Sequence, residues 1–230
     1  MLPSQTVENY LKTIYLAQAA ATDPAALVPM GQLAAGLGVV PGTATTMVKT
    51  LADSGLVRYE PYMGVRLTAA GEKLASLVLR RHRLIELFLV KVLGMSWAEV
   101  HDEAERLEHA VSERLIDRIN DMLGRPAVDP HGDPIPTAEG TMARPNHVDL
   151  CSAPLHTPLM VERVLDQDAD FLRFIEQRHL MPGSAIVIDA RDNAADSLHL
   201  RSASGESIAV GLRAASKVLV SRSESDFFPV

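Results

Sequence analysis

A mainly α-helical chain with a small β domain near its C-terminus is what this sequence predicts, from three observations. Apolar residues step by three and four through most of residues 5–123, the spacing of buried helix faces. Inside that stretch, residues 56–60 and 65–68 form two short apolar runs around a Pro-Tyr-Met-Gly turn, the pattern of a hairpin. Short apolar segments then recur at 155–165 and 184–220 between Gly and Ser turns, as the strands of a small barrel do.

The elements follow in order. Val7, Tyr10, Leu11, Ile14, Tyr15 and Ala19 define an amphipathic helix over 5–21, ended by Ala21-Thr22-Asp23-Pro24. A short helix over 30–38 closes at Gly38. Pro41 starts a third helix, whose inner face is Met47, Val48 and Leu51. Its polar face carries Thr43, Thr46, Lys49 and Thr50, and Ser54-Gly55 ends it. The hairpin comes next, then a long helix with Thr68 as its candidate cap. Helix, short helix, turn, helix, hairpin is the order of a winged helix-turn-helix. The helical pattern continues from about 70 to 123, with breaks near Gly94-Met95-Ser96 and Gly124. Residues 124–136 hold too many Pro and Gly for a regular element. A further helix is expected over 168–179.

Composition narrows the function. The 230 residues are 47% hydrophobic and 22% charged, enough to bury a sizeable core. No apolar run approaches the ~20 residues that span a bilayer, and no signal peptide opens the chain, so neither a membrane protein nor a secreted one is expected. The single cysteine, Cys151, fits a reducing cytoplasm and excludes a disulfide scaffold. The net charge is −7, yet residues 1–80 carry six basic side chains against five acidic ones, which leaves −8 on the rest. The N-terminal third therefore lacks the acidity that would repel phosphate.

On a continuous helix, His101, Glu105, Glu108 and His109 would share about a third of the circumference. His82 and Glu86 lie one turn apart on another helix. This gives oxygen and nitrogen donors from two helices with no thiolate, an inventory suited to Mn²⁺, Fe²⁺, Co²⁺ or Zn²⁺. A solvated acidic face with i,i+4 ion pairs is the plainer alternative. No Gly-x-Ser-x-Gly, phosphate-cradling loop or His-Glu-x-x-His is present, so no enzyme is expected. A di-metal hydrolase would use the same donors but leaves the winged-helix order unexplained. For DNA, Thr43, Thr45, Thr46 and Lys49 suit groove and phosphate contacts, and Arg58 and Arg66 flank the wing. His131, in the Pro loop, reads as structural, Trp97 as packing near the dimer helices, and Cys151 as an idle thiol.

Several segments resemble the diphtheria toxin repressor and manganese transport regulator family of metal-dependent transcriptional repressors. They are Val7-Glu8-Asn9-Tyr10-Leu11-Lys12-Thr13-Ile14-Tyr15, residues 41–57, Leu67-Thr68-Ala69-Ala70-Gly71, Arg81-His82-Arg83-Leu84-Ile85-Glu86, the 100–109 run and Pro130-His131-Gly132-Asp133-Pro134-Ile135-Pro136. The resemblance implies a winged-helix DNA-binding domain over 1–73, a helical dimerisation and metal-binding domain over 74–145, and an SH3-like, FeoA-like β-barrel domain over 146–230. It also implies one metal site of Asn9, Glu105, Glu108 and His109, and a second of His82, Glu86 and His101 with a carboxylate from the SH3-like domain. Asp168 best fits that carboxylate, with Asp166 and Asp170 as competitors. Asn9 and Glu105 stand where other members carry Asp or Met and Cys, which makes the site oxygen-rich and favours Mn²⁺ over Fe²⁺. Zn²⁺, Co²⁺ or Cd²⁺ are expected to substitute in vitro. Pro41, Thr43, Thr45, Thr46, Lys49, Arg58 and Arg66 are the implied DNA-facing residues. The expected protein is a cytoplasmic homodimer on double-stranded operator DNA, a repressor of metal-uptake genes with no small-molecule substrate and no membrane partner. An iron-responsive repressor, or a winged-helix regulator that senses no metal, are the alternatives.

Overall fold

The computed structural model describes residues 4–21, 23, 25–143 and 145–223. The opening Met1-Leu2-Pro3 and the helix breakers Thr22 and Pro24 lie outside the described residues. The chain separates into two compact units: residues 1–82, 107–116 and 135–142, and residues 83–106, 117–134 and 143–230.

The first unit opens with α1 (Gln5–Ala20), α2 (Met30–Gly36) and α3 (Pro41–Asp53). Ser4 caps α1, its hydroxyl accepting the Val7 N–H at 3.4 Å. Pro41 occupies the first turn of α3, where its missing N–H leaves no intrahelical bond unmade. Tyr10, Leu11 and Ile14 of α1 pack with Leu33, Val48 and Leu51 into one buried cluster. Each such fully buried side chain contributes roughly 1.5–3 kcal/mol. β1 (Val57–Glu60) and β2 (Gly64–Leu67) form the antiparallel wing. Gly64 has φ +145°, and a Cβ there would lie 2.5 Å from the Val28 carbonyl oxygen, so only glycine admits the Val28–Val65 bridge beside it. The Thr68 hydroxyl accepts the Gly71 N–H at 3.2 Å and starts α4 (Ala69–Lys91), within which the division between the units falls.

The sequence reading differs from the structure at 101–109. α5 (Val100–Leu107) stops at Leu107, and Glu108 and His109 lie in the turn after it. The N–H groups of Ala110 and Val111 both reach the Leu107 carbonyl, at 2.9 and 3.1 Å. Ser112 then caps α6 (Glu113–Met122), accepting the Leu115 N–H at 3.4 Å. A cap one residue after an apolar Val111 interrupts a pattern that hydropathy alone reads as continuous.

The second unit carries a six-stranded antiparallel sheet. Its strands are β3 (Val148–Asp149), β4 (Pro158–Val164), β5 (Ala185–Asp192), β6 (Ser197–Ser202), β7 (Ser207–Gly211) and β8 (Val218–Arg222), in the spatial order β3-β8-β4-β5-β6-β7. Alternate residues Leu159, Val161, Ile186, Ile188, Leu198, Leu200, Val218 and Val220 fill its core. Bulges between Val161 and Arg163 and between Ile188 and Ala190 bend the sheet. α7 (Ala169–Glu176) is shorter than the expected 168–179 helix, and α8 (Leu212–Ala215) is a single turn that hydropathy does not mark. Trp97 packs in this β-domain core. No helix among the described residues is long and apolar enough to cross a membrane.

Candidate metal centre

In the first unit, α1 and the turn after α5 supply a buried ion-pair network. Glu108 is fully buried. Its Oε2 lies 2.6 Å from His82 Nδ1 and its Oε1 accepts the Lys12 ammonium at 2.7 Å. Burial alone would push the Glu108 carboxyl up, but the His82 hydrogen bond and the Lys12 charge outweigh it and hold the group below the usual carboxylate range. The next residue, His109, places Nδ1 2.5 Å from Glu8 Oε2, while Glu8 Oε1 accepts from Arg81 at 2.6 Å. A ring that donates from Nδ1 to a carboxylate keeps its lone pair on Nε2, the tautomer found in metal-ligating histidines.

That Nε2 is buried without a hydrogen-bond partner among the described residues, 3.3 Å from Glu108 Oε1. A lone pair opposite an ionised oxygen in a buried site is repulsive until a cation or a proton lies between them. Asn9 Oδ1 is a second buried acceptor with no hydrogen-bond partner. Native interiors rarely leave such atoms unsatisfied. The donor chemistry here therefore fits a divalent cation with oxygen and imidazole ligands.

The second unit holds another cluster. Glu86, Asp129 and His131 are all buried, with ligand atoms within 4.8 Å of one another. His131 Nε2 donates to the Trp97 carbonyl at 2.9 Å, and the two rings stack with centroids 5.4 Å apart. This leaves His131 Nδ1, which has no hydrogen-bond partner, 3.9 Å from Glu86 Oε2 and 4.0 Å from Asp129 Oδ1. Burial, then the charges of Asp133 and Glu86, raise the Asp129 carboxyl well above its ordinary range, against the opposing pull of Arg83. Glu86 Oε1 lies 3.2 Å from His101 Nδ1, and Glu105 lies 3.9 Å from His101 Nε2. His131 thus lies with Glu86 and Asp129 in a buried group that could hold a metal ion.

His82 lies on α4 one turn before Glu86, and its Nδ1 is 2.6 Å from Glu108 Oε2. Asp168 is exposed and caps α7, its Oδ1 accepting the N–H groups of Asp170 and Phe171, both at 3.1 Å. Asp166 pairs with Lys217 and Asp170 with Arg173. Cys151 is half-buried, donates to the Leu212 carbonyl at 3.3 Å, and has a thiol pushed up by burial, as an idle cysteine does. Sequence reasoning gave no role to Glu8, Lys12 or Asp129 and a structural one to His131; the structure places Glu8 and Lys12 against His109 and Glu108, and Asp129 and His131 beside Glu86.

On α3, Pro41, Thr43, Thr46 and Lys49 are exposed and Thr45 is half-buried. Thr45 and Thr46 donate their hydroxyls back to the Pro41 and Gly42 carbonyls, at 2.8 and 3.0 Å. Arg58 and Arg66 are directly opposed across β1 and β2, so both guanidinium groups emerge on one face of the wing. Like charges so opposed destabilise a hairpin in isolation and suit a surface that meets phosphate.

Comparison with known proteins gives the following. Residues 3–65 match the family described as "Iron dependent repressor, N-terminal DNA binding domain". Residues 68–137 match its "metal binding and dimerisation domain", and residues 148–222 match the FeoA domain. The chain is 32% identical over 196 residues to the iron-dependent repressor IdeR of Mycobacterium tuberculosis, covering 80% of this chain and 84% of that protein. It is 34% identical over 122 residues to the HTH-type transcriptional regulator MntR of Lysinibacillus sphaericus, covering 53% of this chain and 84% of that one. Among solved structures, a manganese-dependent transcriptional repressor in complex with manganese aligns with a TM-score of 0.86 at 39% identity, over 94% of this chain and all of the other. ScaR with bound Zn²⁺ aligns with a TM-score of 0.75 at 30% identity, over 96% of this chain and 100% of that one.

Proposed function

The chain belongs to the iron-dependent repressor family, and from that premise we propose that it is a manganese-activated homodimeric repressor that binds operator DNA. The observation that carries the metal dependence is the pair of buried acceptors, Asn9 Oδ1 and His109 Nε2, that have no hydrogen-bond partner among the described residues. With Glu108 they make a donor set of two oxygens and one imidazole nitrogen, and hard ligands of this kind suit Mn²⁺. When bound, the ion supplies a fixed positive charge that ties these groups together. The chain does the rest. Glu8 holds the His109 ring in the liganding tautomer, Arg81 holds Glu8, and His82 with Lys12 fixes Glu108.

A second centre is built on Glu86, with His131 and Asp129 on one side and His101 on the other. His131 takes its orientation from the Trp97 carbonyl and ring. Asp168, spent as a helix cap, is left outside this reading.

For DNA, α3 enters the major groove with Thr43, Thr45, Thr46 and Lys49, and Arg58 and Arg66 of the wing meet the backbone. Dimerisation brings two such helices to half-sites about one turn apart. α6 offers an apolar face for this, with Leu115 and Met122 exposed two turns apart. An iron-responsive reading rests on the similarity to IdeR across 80% of the chain. A donor set without sulfur favours manganese over it, since the only cysteine, Cys151, is bonded to Leu212. The test is operator binding against Mn²⁺, Fe²⁺, Zn²⁺, Co²⁺ and Cd²⁺, with and without chelator. Mn²⁺ is expected to restore binding that chelator abolishes. Equal affinity in chelator and in Mn²⁺ would rule out a metal switch.

A further inference from the structure

Lys12 is a buried cation aimed at a metal-ligand carboxylate. It is 7% exposed, and its ammonium lies 2.7 Å from Glu108 Oε1. That oxygen is also the one 3.3 Å from the lone-pair nitrogen of His109. The atom best placed to bridge an ion to His109 therefore already carries a positive charge supplied by the chain. Lys12 reaches Glu108 across 96 residues of sequence, and both groups belong to the same compact unit.

We propose that Lys12 is an internal counter-cation that sets the metal threshold of the sensor. Resting on the metal reading given above, the proposal says what that site does when no ion is bound. His82 holds Oε2, but a buried carboxylate oxygen without a donor is costly, so an empty site without Lys12 would leave Oε1 strained. Lys12 relieves this by neutralising Glu108. An arriving divalent ion meets the consequence. Either the ammonium leaves Oε1 and gives up its bond, or it stays on the second lone pair of the same oxygen and repels the ion at close range. Both routes weaken binding. The protein then responds at a higher free-metal concentration than its ligands alone would set, and the chelated form stays folded.

The test measures Mn²⁺ affinity by titration calorimetry on the full chain without DNA, together with the thermal midpoint in chelator. Lys12→Leu removes the charge and the bond. Lys12→Gln keeps a donor for Glu108 and removes only the charge, and it serves if the leucine variant fails to fold. Lys12→Arg keeps the charge. The neutral variants are expected to bind Mn²⁺ at least tenfold more tightly, about 1.4 kcal/mol, and to melt at lower temperature in chelator. Lys12→Arg should stay within about threefold of wild type, well under that 1.4 kcal/mol step. Wild type that binds Mn²⁺ while both neutral variants bind it no more tightly overturns the proposal and leaves the metal reading standing. Wild type that binds no Mn²⁺ overturns the metal reading itself, and the proposal with it.

Discussion

In the metal reading proposed above, Glu8 supports a ligand without being one. Its two oxygens are divided between His109 Nδ1 at 2.5 Å and Arg81 at 2.6 Å. Glu8→Gln has a single acceptor oxygen and cannot serve both. If the amide oxygen stays on Arg81, the His109 ring loses the acceptor that fixes its tautomer, and Nε2 is no longer held as the free lone pair. Loss of such an outer partner typically costs ten- to a hundredfold in metal affinity, roughly 1.4–2.7 kcal/mol. Removing one member of a buried ion pair can cost about 3–5 kcal/mol of stability. Arg81 keeps Glu113 as a second partner at 2.7 Å, which places the change toward the lower end of that range or below it. Two measurements separate the effects: thermal unfolding in chelator for stability, and Mn²⁺ titration of the folded variant for affinity. A folded Glu8→Gln protein with wild-type Mn²⁺ affinity would refute the assignment of His109 Nε2 as a ligand atom.

Lys49→Ala should weaken operator binding on all sequences and reduce the slope of log affinity against log salt by about 1, the signature of a lost phosphate contact; an unchanged slope would remove Lys49 from the interface. Gly132→Ala should destabilise the second unit, since Gly132 has φ +85° and a Cβ there would lie 1.9 Å from the Glu162 carbonyl oxygen. The backbone strain alone costs on the order of 1–3 kcal/mol, and a thermal midpoint equal to wild type would show that the 129–134 loop is not held against β4 as described. Asp166 is held below the usual carboxylate range, chiefly by its hydrogen bond from Lys217. A depressed folded value means that its stabilisation is present above the unfolded carboxylate range and is lost as pH falls through the folded one. Asp166→Asn should therefore lower stability at neutral pH, measured in chelator, and flatten the acid limb, while leaving stability at the acid end little changed.

Much of the fold was legible in the sequence because its elements carry local signals. Pro41 and Ser54-Gly55 bracket α3, and period-two runs mark β5 to β8. The miss at Glu108 and His109 arose because Ser112 restarts a helix after a single turn, which a moment spread over many residues cannot resolve. The candidate donors stand out in the sequence, and the residues packed around them do not. Glu8 and Lys12 stand four residues apart with opposite charge, the ordinary pattern of a solvated helix pair. The structure buries both and sends them to different partners, His109 and Glu108, about a hundred residues away. His131 illustrates the reverse case. Its neighbours Pro130 and Gly132 identify a turn, but its role depends on Glu86, which lies forty-five residues earlier and is brought to it only by tertiary packing.

The two buried stripes of α1 explain how one ion could govern DNA binding. Leu11 and Ile14 face the core that also contains Val48 and Leu51 of α3. Glu8 and Lys12, also buried, face His109 and Glu108, the candidate metal donors. A close-packed core does not deform smoothly, so α1 and α3 move together or not at all. Fixing Asn9 on the polar side of α1 therefore fixes the placement of α3 through the apolar side. The coupling is reciprocal: operator DNA that selects this placement of α3 must tighten metal binding by the same factor by which metal tightens DNA binding. A Leu11→Ala substitution would loosen that connection without touching a ligand or a DNA contact. It should lower the coupling factor more than it lowers either affinity measured alone, and a coupling factor equal to wild type would mean that the signal does not travel through α1.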